Sequence, residues 1–527
     1  MTAAGRYVIG VDLGTSGPKV VLSGTDGTLV GHEAERTEVT LLPGGGAEQD
    51  PDDWWRAIST SVRRLLDKNR VDPARIAAIC MSSQWGGLVP VDATGRHVHN
   101  ALIWMDSRGV EHSRALVGGG AEIPGTGYNA RRLAGWIRKT GGVPSRSGKD
   151  PVGQAQWLRH QRPDVYAGTA YLLDVPEYLT MRLSGRPVAG YDTTTVRWCT
   201  DNRTPSRVRY DPVLARRCGL DIAKLPELCR PATVIGPILP EAAKELGLGE
   251  SVSVVAGTGD TTAAAIGAGA VRDYQAHLYI GTSSWLSCHV PFKRTDVLHN
   301  IASLPAVVPD RYWVATMQDV AGKAIDWLID HVVYPERPDD ALDKLNALAV
   351  TAPPGSHGVI FTPWLNGERT PVEDPYLRGG WFNVSLGTTR ADLARAVFEG
   401  IALNTRWMKE TVERFLGRSL PGGFPALNFI GGGATSTLWC QTMADVLGCV
   451  IHQVTDPVLA NARGAALIAS VALGDLRWDD IPDRVGITAS YQPDPGNRRV
   501  YDHLYRSYAA LYKKNRGIYA RLNGGNG

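Results

Sequence analysis

The sequence predicts an α/β fold of two domains built on one plan. Three observations carry this. The chain has 527 residues, too many for one ordinary hydrophobic core. Its N-terminal third alternates β-branched runs with stretches of helical spacing, the pattern of an α/β domain. Two distant segments, IGVDLGTSGPKVVLSG near the start and LYIGTSSWLSCHV after residue 277, share one design: apolar strand, Gly-Thr-Ser turn, apolar strand.

The elements follow in order. YVIGVDL and KVVLSG are β-branched runs around a short turn, hence two strands. DPDDWWRAISTSVRRLLD has acids first and apolar residues at helical spacing, which predicts a helix beginning near Asp50. RIAAICMSS and ALIWMDSR each predict a buried strand. VGQAQWLRHQ is helical, and LLDVPEYLTMRLSG is a helix ending at Gly185. SVSVVAG returns to strand. ADLARAVFEGIALNTRWMKETVERFLG repeats apolar residues at Leu393, Val397, Ile401 and Met408, a long amphipathic helix. LNFIGGGATSTLWCQTMADVLG reads as strand, glycine turn and helix.

Composition narrows the function. Hydrophobic residues at 43% and charged residues at 21% describe a globular protein. A formal net charge of +3 gives no case for nucleic acid or a membrane surface as partner. The basic stretch LYKKNRGIYARL reads as the solvated face of a terminal helix. The seven cysteines form no CxxC pair or zinc spacing, so unpaired thiols in a reducing compartment are expected. The N-terminus lacks a signal-peptide pattern, and a cytoplasmic protein is expected. VSVVAGTGDTTAAAIGAGAV could pass for a membrane span, but Asp260 at its centre argues for a strand, a turn and a small-residue helix.

Four constellations could carry chemistry. In DLGTSGPK, glycines permit close approach and successive N–H groups can form an anion nest. Thr15 and Ser16 add hydroxyls, Lys19 adds charge, and Asp12 could hold a metal directly or through water. GTSS at 281–284 repeats the design from the other half, and two such turns could grip opposite sides of a triphosphate. IGGGATS at 430–436 has more glycine than a strand-to-helix turn requires; it leaves room for a base or ribose, with Ser436 or Thr437 as N-cap. It is not GxGxxG, which disfavours a dinucleotide cofactor. In AGTGDTTAAA, Asp260 is either a helix N-cap or a general base, and one carboxylate can serve both roles. Together these point to phosphoryl transfer, which needs charge neutralisation, in-line positioning and a base.

The stretches YVIGVDLGTSGPKVVL, AEQDPDDWW, NALIWMDSR, VVAGTGDTTAAAIGAGAV, LYIGTSS, FTPWLNGERTP, ADLARAVFEGIA and IGGGATSTLWCQTMADVLG carry a family resemblance. From about Tyr7 to about Gly474 the chain resembles the FGGY carbohydrate kinases, and among them it is most similar to the xylulokinases. The resemblance implies two actin-like ATPase (ribonuclease H-like) domains flanking a deep catalytic cleft, here residues 1–270 and 271–510. It implies an ATP- and Mg2+-dependent kinase of a small sugar or polyol, with D-xylulose as the default. Other pentuloses, hexuloses or polyols remain open, as do a catalytically silent sugar- or nucleotide-binding regulator and a homodimer.

The resemblance also implies roles. Asp260 matches the catalytic base and Asp12 the acid near Mg-bound phosphates. Gly14, Thr15, Ser16 and Lys19 match the first phosphate hairpin, and Gly281 and Thr282 the second. Gly432, Gly433 and Ser436 fall in the adenosine motif, and Asn461 opens the last nucleotide-side helix. Gln84, Trp85, Gly86 and Asp106 fall on the sugar side. Three departures stand out. Gln154 replaces a signature lysine, and Asn383 replaces a glycine after GWF. Where xylulokinases typically read Gln-Met-His-Gly, this chain reads Gln84-Trp85-Gly86-Gly87. An imidazole donor is absent there and an indole has arrived, so substrate choice is where this chain should diverge.

Overall fold

The computed structural model describes residues 5–123 and 126–524. β1 (Tyr7–Gly14) and β2 (Gly17–Gly24) pair antiparallel around the two-residue turn Thr15-Ser16. β3 (Leu29–Ala34) extends the pairing. α1 (Pro51–Asn69) starts where the Asp50 carboxylate accepts the Asp52 amide, and it buries Trp54, Ile58, Val62 and Leu65 in the core of the first sheet. β4 (Ile76–Ser83) lies parallel to β1. After α2 (Pro151–Gln161) and α3 (Val175–Ser184), β5 (Val234–Pro237) and β6 (Ser253–Gly259) complete the sheet, and β6 runs straight into α4 (Asp260–Gly267).

The second half follows the same plan, with two added strands and with its far edge strand last in the chain rather than before its partner. β7 (Ala276–Ile280) and β8 (Ser284–Val290) form a hairpin, followed by β9 (Thr295–Asp296), β10 (Ile301–Pro305), β11 (Tyr312–Ala315) and α5 (Gly322–Leu328). The long helix α6 (Arg390–Leu416) precedes β12 (Ala426–Ile430), α7 (Thr437–Leu447), β13 (Val450–Val454) and α8 (Ala460–Ala472). β14 (Ile487–Tyr491) and α9 (Arg498–Asn523) close the described chain.

The first sheet runs β5-β6-β4-β1-β2-β3 and the second β9-β10-β11-β8-β7-β12-β13-β14. Without β9 and β10, the two match strand for strand. β6, β4 and β1 are parallel, as are β13, β12 and β7; the hairpin partners and the far edge strands are antiparallel in both. The short internal echo in the sequence thus marks a repeat of the whole sheet.

Between the sheets lie α4 and α8, with apolar residues of both sheets packed on them. Their crossing is too close for side chains. A Cβ on Gly267 would stand 1.7 Å from the Ala460 carbonyl oxygen, and one on Gly464 1.9 Å from that of Ala263. Gly10 of β1 meets α8 in the same way, its Cβ position 2.1 Å from the Ala462 carbonyl oxygen. A helix from the second half of the chain therefore seals one face of the first sheet.

Two local expectations change. ALIWMDSR is not a strand: only Ala101–Leu102 pair, and the chain then turns as the Asp106 amide donates to the Ile103 carbonyl. In LLDVPEYLTMRLSG, Tyr171–Leu173 form a short strand, and the helix starts after Asp174, whose carboxylate and Glu177 make a capping box. The helix ends at Gly185 in the left-handed conformation, φ 71°. All seven cysteines are unpaired, and six of them are buried. Among the described residues, no helix is long and apolar enough to cross a membrane.

Candidate active site

The site forms where the C-terminal ends of β1, β4 and β6 meet those of β7 and β12. Asp12 and Lys19 stand opposite each other in the first hairpin. Asp12 is buried, and Ser82 Oγ donates to its Oδ1 at 2.9 Å. Burial raises its affinity for a proton; the Lys19 charge and the hydroxyl and amide of Ser82 and Asn461 offset this only in part. Asn461 therefore serves Asp12 on the first sheet, since α8 crosses to that sheet. Ser16 is exposed at the tip of the turn, while Gly14 and Thr15 are half-buried.

Asp260 is the first residue of α4. The N-cap is Gly259, and the Asp260 Oδ1 accepts its neighbour's amide, Thr261 N, at 2.7 Å. It lies deep in the molecule with part of its surface open. Burial, then the charge of Asp12, push its pKa up to about 8, with Asp174 adding to the effect. Beneath it, buried Asp192 accepts from Thr258 Oγ1 at 2.6 Å and Thr262 Oγ1 at 3.2 Å, tying the end of β6 to the start of α4.

The second hairpin is braced from behind. The amides of Ala321 and Lys323 donate to the Thr282 carbonyl and that of Gly322 to the Gly281 carbonyl, at 3.0, 3.2 and 2.8 Å. Thr282 itself is exposed. The glycine turn abuts this hairpin: a Cβ on Gly431 would be 2.4 Å from the Ile280 carbonyl oxygen, and one on Gly433 2.8 Å from the Ile280 side chain. Gly432 faces open space. Ser436 is the α7 N-cap, accepting from Trp439 N at 3.2 Å and donating to Asn346 Oδ1 at 2.6 Å.

Of the residues expected on the sugar side, Gln84 is buried within a network of other polar groups. It donates to Gln49 Oε1 at 2.7 Å and accepts from Thr15 Oγ1 at 3.2 Å, while Trp104 Nε1 donates to that same hydroxyl at 3.0 Å. Asp106 is fully buried and already engaged: it accepts from Ala47 N, from Arg108 N and from the Arg108 guanidinium. The structure thus gives Asp106 a holding role on Arg108, which also pairs with Glu48.

Trp85 bridges the two halves. Its Nε1 donates to the Thr193 carbonyl at 2.8 Å, its ring edge lies against Gly259 just before Asp260, and its centroid is 6.0 Å from that of Trp313 on β11. Gly86 has φ 86°, a conformation glycine adopts freely, and nothing lies within 4 Å of its Cβ position. The amides of Gly86 and Gly87 both donate to the buried Asp174 carboxylate at 3.1 Å. Burial, with Glu177 close by, shifts Asp174 upward. Glu177 pairs with buried Arg197.

The other departures have local explanations. Gln154 is buried and donates to the Ile103 carbonyl at 2.9 Å. Asn383 sits at φ 65°, a left-handed position that suits glycine best and asparagine next. Sequence reasoning missed Asp174 and Tyr279. For Tyr279 a signal existed: it stands two residues before its turn glycine, as Asp12 does.

Two family models match the chain. The N-terminal domain of the FGGY family of carbohydrate kinases matches residues 7–267, and its C-terminal domain matches residues 277–473. The chain belongs to the FGGY family of carbohydrate kinases. It is thus a phosphotransferase with an alcohol acceptor. It is 28% identical to a xylulose kinase of Staphylococcus epidermidis over 98% of each chain. A xylulose kinase structure from Rhodospirillum rubrum is similar at TM-score 0.82 and 26% identity, covering 98% of this chain and all of the other. A gluconate kinase structure from Lactobacillus acidophilus shares the fold at TM-score 0.84 and 24% identity, with the same coverage.

Proposed function

We propose that this FGGY kinase transfers the γ-phosphoryl group of ATP to D-xylulose, giving D-xylulose 5-phosphate. The carrying observation is Asp260: a carboxylate beside Asp12, at the meeting of two phosphate hairpins, with a pKa pushed up to about 8. A base needs affinity for the proton it accepts, and burial beside a second acid supplies that. Asp260 takes the proton of the acceptor hydroxyl. Lys19 and the backbone amides of the two turns hold the triphosphate, and the space at Gly432 admits the adenosine. Asp12, a carboxylate whose burial is only partly offset, fits a divalent cation; Asp12 would hold Mg2+, which neutralises phosphate charge when bound.

The neutral ketose is favoured over a sugar acid on electrostatic grounds. The charged groups that act most strongly on Asp260 are Asp12 and Asp174, both acids. Among the described residues, no basic side chain is one of the groups that act most strongly on Asp260, so a substrate carboxylate entering there would find no counter-charge. The full-length similarity to xylulose kinases supports the same reading. The test is ATP turnover over D-xylulose, D-ribulose, erythritol, glycerol and D-gluconate, with Asp260→Asn as control. D-xylulose should give the highest kcat/KM and the Asn variant no sugar-dependent turnover. Tenfold preference for gluconate, or equal turnover by the variant, would overturn the proposal.

A further inference from the structure

Matching the two sheets strand for strand pairs their hairpins residue by residue. Asp12 stands two residues before Gly14, and Tyr279 two before Gly281. Asp12 is paired across its hairpin with Lys19, and Tyr279 with Trp285. The charged pair of one domain is thus an aromatic pair in the other. The Tyr279 and Trp285 rings stack at 3.8 Å and 8°, and Trp285 Nε1 is held by His277 Nε2 at 3.2 Å. This fixes the phenol.

Its hydroxyl end lies against the phosphate turn. A Cβ on Gly281 would be 2.4 Å from the phenol oxygen and 2.8 Å from two ring carbons, so glycine there makes room for this side chain. Tyr279 retains an open surface, and its hydroxyl has no hydrogen-bond partner among the described residues. Asp12 and Asp260 are near enough to act on it; with burial they hold the phenol well above its ordinary pKa, so it stays a donor.

We propose that the Tyr279 hydroxyl donates a hydrogen bond to a non-bridging oxygen of the γ-phosphoryl group during transfer, the second domain's counterpart to Asp12. In that step the acceptor oxygen bonds to the γ-phosphorus. The bond from that phosphorus to the β,γ-bridging oxygen breaks, and its electron pair leaves with ADP. The acceptor proton passes to Asp260, and the phenol keeps its own. A neutral donor there stabilises spreading negative charge without adding to that of the two acids. The inference rests on membership of the kinase family and is independent of which sugar is used.

Tyr279→Phe keeps the stack and removes the donor. Using whichever acceptor the panel shows to be turned over, the variant should lose about 100-fold in kcat. Its KM for the acceptor should stay within about twofold, since uniform binding is untouched. The ratio of rates with ATP and with its γ-thio analogue should be smaller in the variant than in wild type, because sulfur is the poorer acceptor for a bond the variant lacks. An unchanged kcat overturns the proposal. So does a fall in kcat with an unchanged thio ratio, which assigns Tyr279 a packing role. If the Phe protein does not accumulate folded, fluorotyrosine at 279 is read instead: kcat should fall as pH rises through the ionisation of the fluorinated phenol, and an unchanged profile overturns the proposal.

Discussion

If Asp260 is the base, its raised pKa sets the pH dependence of the enzyme. The active form is the carboxylate, and half of it is present near pH 8. At pH 7 about one molecule in eleven carries it, and at pH 6 about one in a hundred. Since kcat/KM reports the free enzyme, it should rise about tenfold from pH 7 to 9 and fall with unit slope below pH 7. Asp12→Asn removes a negative neighbour that raises Asp260, so it should shift this limb to lower pH while lowering the plateau. The assay is initial-rate ADP release at subsaturating sugar in buffers of constant ionic strength. A profile flat from pH 6 to 9, or a limb that does not move in Asp12→Asn, refutes the reasoning.

The same shift has a stability consequence of definite sign. The folded pKa lies above the unfolded value of about 3.9, so the folded state holds a proton the unfolded chain releases. This contribution is complete below about pH 4 and is lost as pH rises through about 8. Asp260→Asn, which mimics the neutral acid, should therefore raise Tm at pH 8 and leave it nearly unchanged at pH 4. A base placed for catalysis would then be measurable as a cost to the fold.

Other outcomes follow from local geometry. Gly267→Ala drives a Cβ into the Ala460 carbonyl and should cost about 3 kcal/mol or more by denaturant titration, whereas Gly517→Ala, in open space on α9, should stabilise by about 0.5–1 kcal/mol. Trp85→Ala should lower sugar kcat/KM at least about tenfold and reorder the panel, with KM for ATP unchanged. Glu177→Gln leaves Arg197 buried without its carboxylate and should cost about 3–5 kcal/mol, read by urea unfolding of the intact chain.

What was legible in the sequence was local. β1 and β2 follow from β-branched residues around glycines, and α1 from an acid cap before helical spacing, because neighbours in sequence supply those hydrogen bonds. ALIWMDSR fails as a strand for the complementary reason. Its apolar run is buried, but neighbouring backbone holds it only as far as the Ile103 amide; beyond that the chain turns, and the Asp106 carboxylate accepts the Arg108 amide. Asp260 was legible as an acid opening a small-residue helix, while the Asp12 charge that raises it comes from another strand. Trp85 stood out by size, yet its partners are Thr193, 108 residues away, and Trp313 in the other half. The grip of Asp174 on the amides of Gly86 and Gly87 leaves no trace in local pattern, since any residue offers an amide.

On the proposed function, the repeat lets one plan serve two substrates. The stretch after β4 is Gln84-Trp85-Gly86-Gly87, and the stretch after β12, its counterpart, is Gly431-Gly432-Gly433. Both lie at strand ends, beyond the last paired residues of their sheets. One has become a bulky wall beside Asp260 and the other an open step beside the second phosphate turn. The two acids share a different constraint. Asp12 rides on β1 and Asp260 directly follows β6, both strands of the first sheet, and α8 is clamped to that sheet at Gly10 and to α4 at Gly267 and Gly464. Their separation therefore does not depend on the angle between the sheets. Tyr279, the second phosphate turn and the glycine step ride on the other sheet. On the proposed function, a change in that angle carries the nucleotide-side groups toward or away from a fixed pair of carboxylates, so that closure can complete the site without disturbing the base.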